Sequence, residues 1–176
     1  MKKLALIAAF AASALAAQAA ILDIELIDVT SNDPLGDPDN LVADFDLGGM
    51  AHVVGIGWDV EIFADSPSWL SEAKVAFQDS SSSTLIILTP GVGDNFSGTE
   101  SYSSGGIVDL IGLALDFTLT DGILRLEFFD SFDDYPNDWD DVWNGHIQVE
   151  YNVVPEPATM AALGLGLAAM ARRRRK

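Results

Sequence analysis

Six aspartates crowd into residues 130–141: Asp130, Asp133, Asp134, Asp138, Asp140 and Asp141, interleaved with Phe132, Tyr135, Pro136, Asn137 and Trp139. Carboxylates at this density are the ligand chemistry of hard divalent cations, calcium above all, which takes six to eight oxygens. The spacing is not that of an EF-hand, since the required Gly and terminal Glu are absent. A loop whose charges are simply solvated is the plainer reading of the same residues. A second acidic stretch places Asp33, Asp37, Asp39 and Asn40 around Pro34, Gly36 and Pro38. These are ordinary turn residues. If both stretches lay at one end of the fold, the metal reading would gain weight.

Other chemistry is sparse. With no cysteine there is no disulfide framework, thiol nucleophile or thiolate metal site. His52 and His146 sit at expected strand starts with no acidic partner at zincin spacing. Neither a nucleophile elbow nor a phosphate-binding loop is present. A carboxylate pair for glycoside hydrolysis is assembled by the fold, so spacing neither reveals nor excludes one. No catalytic residue is assigned, and the chain is not expected to be an enzyme. The four tryptophans offer flat faces that stack on sugars. Trp58 fits a core position, whereas Trp69, Trp139 and Trp143 lie in or beside loops.

The two ends of the chain carry addresses. Lys2 and Lys3 precede an uncharged stretch from Leu4 to Ala17, and Ala17-Gln18-Ala19 forms a small-x-small cleavage pattern before Ala20. That is the three-part layout of a secretory signal peptide. At the other end Pro155-Glu156-Pro157 stops any strand, because proline fixes φ and lacks an N–H. An uncharged run from Ala158 to Ala171 follows, and then Arg172, Arg173, Arg174, Arg175 and Lys176. As a helix this run is about 21 Å long, against a hydrocarbon core of about 30 Å. Bilayer thinning and snorkelling arginines cover such a deficit. The basic cluster stays on the cytoplasmic side.

Pro155-Glu156-Pro157, the short apolar run and the terminal basic cluster together resemble the tripartite PEP-CTERM sorting signal. The resemblance covers the tail alone. It implies processing by an exosortase, a membrane-embedded transpeptidase-like enzyme, near the Pro-Glu-Pro motif. It also implies a Gram-negative-type envelope and, often, a host that makes extracellular polysaccharide. The expected partners are therefore signal peptidase, exosortase, the inner membrane in passing, and exopolysaccharide.

Charge is distributed unevenly. Of nine basic residues only Lys74 and Arg125 lie in residues 20–152, whereas of 27 acidic residues only Glu156 lies outside that segment. The resulting surface repels nucleic acid and attracts divalent cations.

Period-two alternation must position all of this. Leu22, Ile24 and Leu26 mark one strand, and Leu41 to Leu47 a second. Val54 to Ile62 mark a long third, with Val75 and Phe77 a short fourth. Leu85 to Leu88 reads as a strand buried on both faces. Pro90 to Gly106 reads as a long loop. Ile111 to Leu119 and Leu124 to Phe128 read as strands joined by a hairpin turn at Asp121-Gly122. Ile147, Val149 and Tyr151 close the series.

About eight strands and no helix between the two terminal signals predict an all-β antiparallel sandwich, of which the jelly roll is one form, flanked by the signal peptide and a short C-terminal transmembrane sorting helix. The expected organisation is a signal peptide over 1–19, an acidic sandwich over 20–152 and a sorting signal over 153–176. The expected function is a non-enzymatic structural or binding role in the cell envelope or extracellular matrix. The alternatives are a carbohydrate-binding module and a polysaccharide hydrolase using paired aspartates.

Overall fold

A computed structural model describes residues 19–134 and 139–154, with Gly164 and Met170 besides. Within these residues the chain forms ten strands and one helical turn. They are β1 (Ala20–Ser31), β2 (Leu41–Asp46), β3 (Ala51–Ala64), β4 (Ala73–Gln78), β5 (Thr84–Leu88), β6 (Gly98–Ser103), β7 (Val108–Asp109), α1 (Leu110–Leu113), β8 (Phe117–Leu119), β9 (Ile123–Asp130) and β10 (Asp141–Val153). One sheet has the order β1-β10-β3-β6, and β7 and β8 also pair with β3. The other has the order β2-β9-β4-β5. Every pairing is antiparallel.

The apolar phase of each strand dictates the packing. Ile56, Val60 and Ile62 of β3 and Ile147 and Val149 of β10 meet Val75 and Phe77 of β4 and Leu124, Leu126 and Phe128 of β9 in one core. Trp143 is wholly buried there, edge-on to Phe128 with centroids 5.5 Å apart. A fully buried aliphatic or aromatic side chain contributes about 1.5–3 kcal/mol.

Several expectations change. Leu85–Leu88 lies in β5, the edge strand, and Leu85 and Ile87 face solvent. An apolar run alone does not distinguish an edge from a centre. The stretch read as a loop contains β6, whose mostly polar sequence hides its pairing with β3. The alternation from Ile111 is interrupted by α1, which Asp109 caps by accepting from the Ile111 N–H at 3.0 Å. Ile111, Leu113 and Leu115 are exposed, and only Phe117–Leu119 joins a sheet. Gly122 does turn the chain, with φ +76. The turn carries the chain from one sheet to the other, since β8 pairs with β3 and β9 with β2 and β4. A Cβ at Gly122 would sit 1.9 Å from the Gly49 carbonyl oxygen.

β1 begins at Ala20, the first residue of the expected mature chain. Ala17 lies outside the described residues. So do Pro155, Glu156, Pro157 and the cluster from Arg172 to Lys176. No described helix is long and apolar enough to cross a membrane.

Candidate functional site

The site arises where two core-facing strand phases end in carboxylates. On β9 the inward positions Leu124, Leu126 and Phe128 continue, two residues on, to Asp130. On β10 Trp143 is preceded, two residues back, by Asp141. Side chains alternate along a strand, so both aspartates share the facing of their apolar neighbours. Asp130, Asp140 and Asp141 are all fully buried. The solvated reading therefore fails for half of the six-aspartate set. Asp133 and Asp134 are partly buried, and Asp138 lies outside the described residues.

A buried polar chain ties these groups together. The Trp143 indole N–H donates to Ser31 Oγ at 3.1 Å, and Ser31 Oγ donates to Asp141 Oδ2 at 3.0 Å. Ser68 Oγ donates to Asp130 Oδ2 at 3.0 Å, and the Phe132 N–H donates to Asp130 Oδ1 at 2.7 Å. The Asp130 and Asp141 carboxyls hydrogen-bond to each other between the two sheets. Two carboxyls can do so only if one keeps its proton.

Burial, followed by the bond and charge of Asp130, pushes Asp141 up to about 9. Burial also raises Asp130, opposed by the hydrogen bonds it receives from Asp141, Phe132 and Ser68. Burial and then the Asp130 charge push Asp140 up to about 7. The Asp134 backbone N–H works against that rise. Even so, neither Asp140 oxygen meets a donor at hydrogen-bonding geometry among the described residues. Buried carboxylate oxygens without donors are costly, and native folds rarely leave them so.

The second acidic stretch lies at the same end. Asp33 is raised by partial desolvation and by the charges of Asp37, Asp133 and Asp39, so Asp133 of one loop lies within electrostatic reach of Asp33 of the other. Asp33, Asp37 and Asp39 each bring an oxygen within 4.8 Å of the others. Asp130, Asp140 and Asp141 do not form such a set among the described residues. The outer loop is pinned by Glu127, a buried residue absent from the sequence reading. Glu127 Oε1 accepts from the Gly36 N–H at 2.5 Å and from Asn40 Nδ2 at 3.1 Å. Its signal was a lone acid between the apolar positions of β9.

One cleft adjoins this frame, and another lies farther along β10, around His146. The first, of about 350 Å³, is lined by Pro67, Trp69, Glu72, Phe132 and Asp134. Trp69 and Phe132 are 44% and 61% exposed there. Glu72 Oε2 accepts from the Trp69 N–H at 2.9 Å. Its carboxyl is raised, chiefly by burial. The other cleft, of about 390 Å³, is lined by residues that include Asp23, Trp58, Asp59, His146 and Gln148.

Among the tryptophans, Trp143 belongs to the core and offers no face to a sugar. Trp58 is partly buried against the core. Trp139 tilts against Phe63, with centroids 6.1 Å apart. His52 Nε2 lies 2.7 Å from Asp116 Oδ2, and His146 Nδ1 lies 3.3 Å from Asp23 Oδ1. His146 sits within β10 rather than at a strand start.

Comparison with known proteins places one feature. Residues 153–176 match the model of the PEP-CTERM protein-sorting motif. That motif marks an exported protein handled by an exosortase. No curated protein matches the chain. Among solved structures the chain is similar to that of infectious bursal disease virus Gt strain, at 11% identity and a TM-score of 0.38. That match covers 76% of this chain and 32% of the viral one. It is also similar to the infectious bursal disease virus VP2 subviral particle, at 13% identity and a TM-score of 0.36. This second match covers 80% of this chain and 34% of the other. The chain thus spans about a third of the length of these neighbours, and likeness at this level says nothing about activity.

Proposed function

We propose that the protein is a non-enzymatic envelope or extracellular-matrix component. In this reading it is exported through its N-terminal signal, held briefly in the inner membrane by its tail, and sorted by exosortase. The observation that carries the reading is the match of residues 153–176 to the sorting motif. The body it delivers is a strongly acidic antiparallel sandwich, which suits a soluble scaffold outside the cell. Its strand orders support a jelly roll, if β6, β7 and β8 count as one interrupted strand beside β3.

A structural role is also favoured over hydrolysis. Asp130 and Asp141 touch each other and are buried. Glycosidase carboxylates instead flank a substrate at about 5–9.5 Å. The test is fractionation of host cells with and without the exosortase. The tailed precursor should accumulate in the inner membrane when the enzyme is missing, and unchanged distribution would overturn the reading.

Carbohydrate binding is a second reading, favoured by one observation. The exposed faces of Trp69 and Phe132 stand beside the carboxylates of Glu72 and Asp134 in one cleft. Apolar platforms flanked by hydrogen-bond acceptors suit sugar rings and their hydroxyls. Host exopolysaccharide should then quench tryptophan fluorescence in the wild type and not in Trp69→Ala. Equal quenching in both would remove Trp69 from the account.

A further inference from the structure

Each sheet of the sandwich ends in two edges, and an edge strand offers its unpaired N–H and C=O groups to any strand that approaches. Three of the four edges carry features that keep such a strand away. β1 exposes Asp23, Glu25 and Asp28, and its ladder is broken between Leu26 and Val29. β2 exposes Asp44 and Asp46. The far edge of the first sheet is interrupted by α1 and exposes Glu100 and Asp109. Charges and irregularities of this kind are the usual protection of an open edge.

β5 is the fourth edge, and it lacks the charges. Thr84-Leu85-Ile86-Ile87-Leu88 contains no ionisable side chain and no proline. The strand pairs with β4 on one side and, among the described residues, with nothing on the other. Its one irregularity lies at the start, where Leu85 has no partner on β4. Leu85 and Ile87 stand in solvent, and Ile86 and Leu88, which pack against the core, are only partly covered. The flanks continue the theme. Residues Ser80 to Gly93 are the longest stretch without Asp, Glu, Lys or Arg between residues 20 and 152, and Val92 within it is 77% exposed.

We propose that β5 is the surface through which two copies of this chain associate, strand against antiparallel strand, about a two-fold axis. Charge selects the partner. Two bodies this acidic repel each other over most of their surface, and like charges set directly opposite one another destabilise a ladder. At β5 two copies meet without bringing carboxylates face to face, because apolar and hydroxyl side chains are all that the strand presents. The pairing satisfies both edges at once and joins two four-stranded sheets into one of eight strands. It uses up the edge on each copy, so association closes at two. It also covers Ile86 and Leu88 at the rim of the core. One short strand buries less than the roughly 1,600 Å² of a standard interface, so the pair is weak in dilute solution and forms where copies are crowded. This deepens the structural role proposed above by naming a second copy as the partner. It is read on purified protein, so its failure leaves the sorting assignment standing.

The chain has no cysteine, so one introduced thiol reports proximity without competition. Ile87→Cys and Ile27→Cys each change an exposed isoleucine on an edge strand, β5 and β1 respectively. With the full chain in mild detergent, a short thiol–thiol cross-linker should couple Ile87→Cys about tenfold faster than Ile27→Cys, since pairing raises the local thiol concentration. Sedimentation velocity on the wild type needs no thiol. Raising sodium chloride from about 0.1 M to about 1 M shortens the screening length from about 10 Å to about 3 Å and should raise the dimer fraction severalfold. Ile87→Glu should abolish that rise, whereas Ile27→Glu, with the same added charge, should keep it. Both positions are exposed, so the unfolding midpoint should be nearly unchanged in either variant. Equal cross-linking at the two positions, or a wild type that stays monomeric at both salt concentrations, would overturn the pairing. So would a dimer that Ile87→Glu leaves intact.

Discussion

Replacing Asp141 with Asn should stabilise the protein in EDTA, although it changes a fully buried residue of the core frame. The amide keeps the local bonds, since its oxygen can accept from Ser31 Oγ and its NH₂ can donate to the Asp130 carboxylate. What disappears is a proton requirement. In the unfolded chain Asp141 ionises near 3.8, whereas in the fold burial and Asp130 hold it un-ionised up to about 9. Folding at pH 7 must therefore reprotonate it against about three pH units, at about 1.4 kcal/mol each. That sets a ceiling of about 4 kcal/mol. The Asp130–Asp141 pair titrates as a unit, so about 2–4 kcal/mol is the realistic gain. For a domain of this size that is roughly 10 °C in the unfolding midpoint. The assay is thermal unfolding by circular dichroism at pH 7, repeated at pH 3, where both proteins carry an uncharged group and the difference should vanish. A variant less stable than wild type at pH 7 in EDTA would refute the argument that a buried carboxyl is being held at a cost.

Four further outcomes follow from the same fold. Asp140 and Asp141 have folded-state values of about 7 and about 9 against 3.8 unfolded, so unfolding releases protons between those limits. In EDTA the wild-type midpoint should thus fall as pH rises from about 4 to about 9, more steeply than in Asp141→Asn; a parallel pH slope in the two would contradict the assignment. Gly145→Ala should cost about 3 kcal/mol or more by denaturant unfolding, because φ is +116 and a Cβ would lie 2.3 Å from the Asp59 carbonyl oxygen. Gly93→Ala, at φ +92 with nothing within 4 Å, should cost about 1 kcal/mol. Trp143→Ala should lose about 3–5 kcal/mol, since it opens a cavity beside Phe128 and strips Ser31 of its indole donor.

Period-two patterning makes most of this fold legible. β1, β3, β4, β9 and β10 each show one apolar face in the sequence and bury it, whereas β2 covers its face only in part, with Phe45 packed against the core and Leu41 exposed. The pattern fails where burial is not what builds the strand. β6 is held by its ladder to β3 and shows little apolar signal. Conversely, Ile111, Leu113 and Leu115 alternate perfectly yet stand in solvent, because Asp109 starts a helical turn and Ala114, at φ +55, ends it.

The acidic site was legible as a density of aspartates and not as a geometry. Its burial could have been read from phase, since Asp130 continues the inward positions of β9 and Asp141 those of β10. Asp140 has no such signal, because its burial comes from backbone bonds to residues 31 and 65, far away in the chain. The link between the two acidic loops depends on strand order, which one sequence does not display.

The central claim is that this acidic sandwich is a cargo, carried out by one terminal signal and handed on by the other. Intact mass spectrometry of the protein isolated from the host envelope or medium tests it most directly. The account predicts a chain that begins at Ala20 and lacks Arg172 to Lys176. A product outside the cytoplasm that retains Lys2 and Lys3, or that keeps the terminal basic cluster, would contradict it.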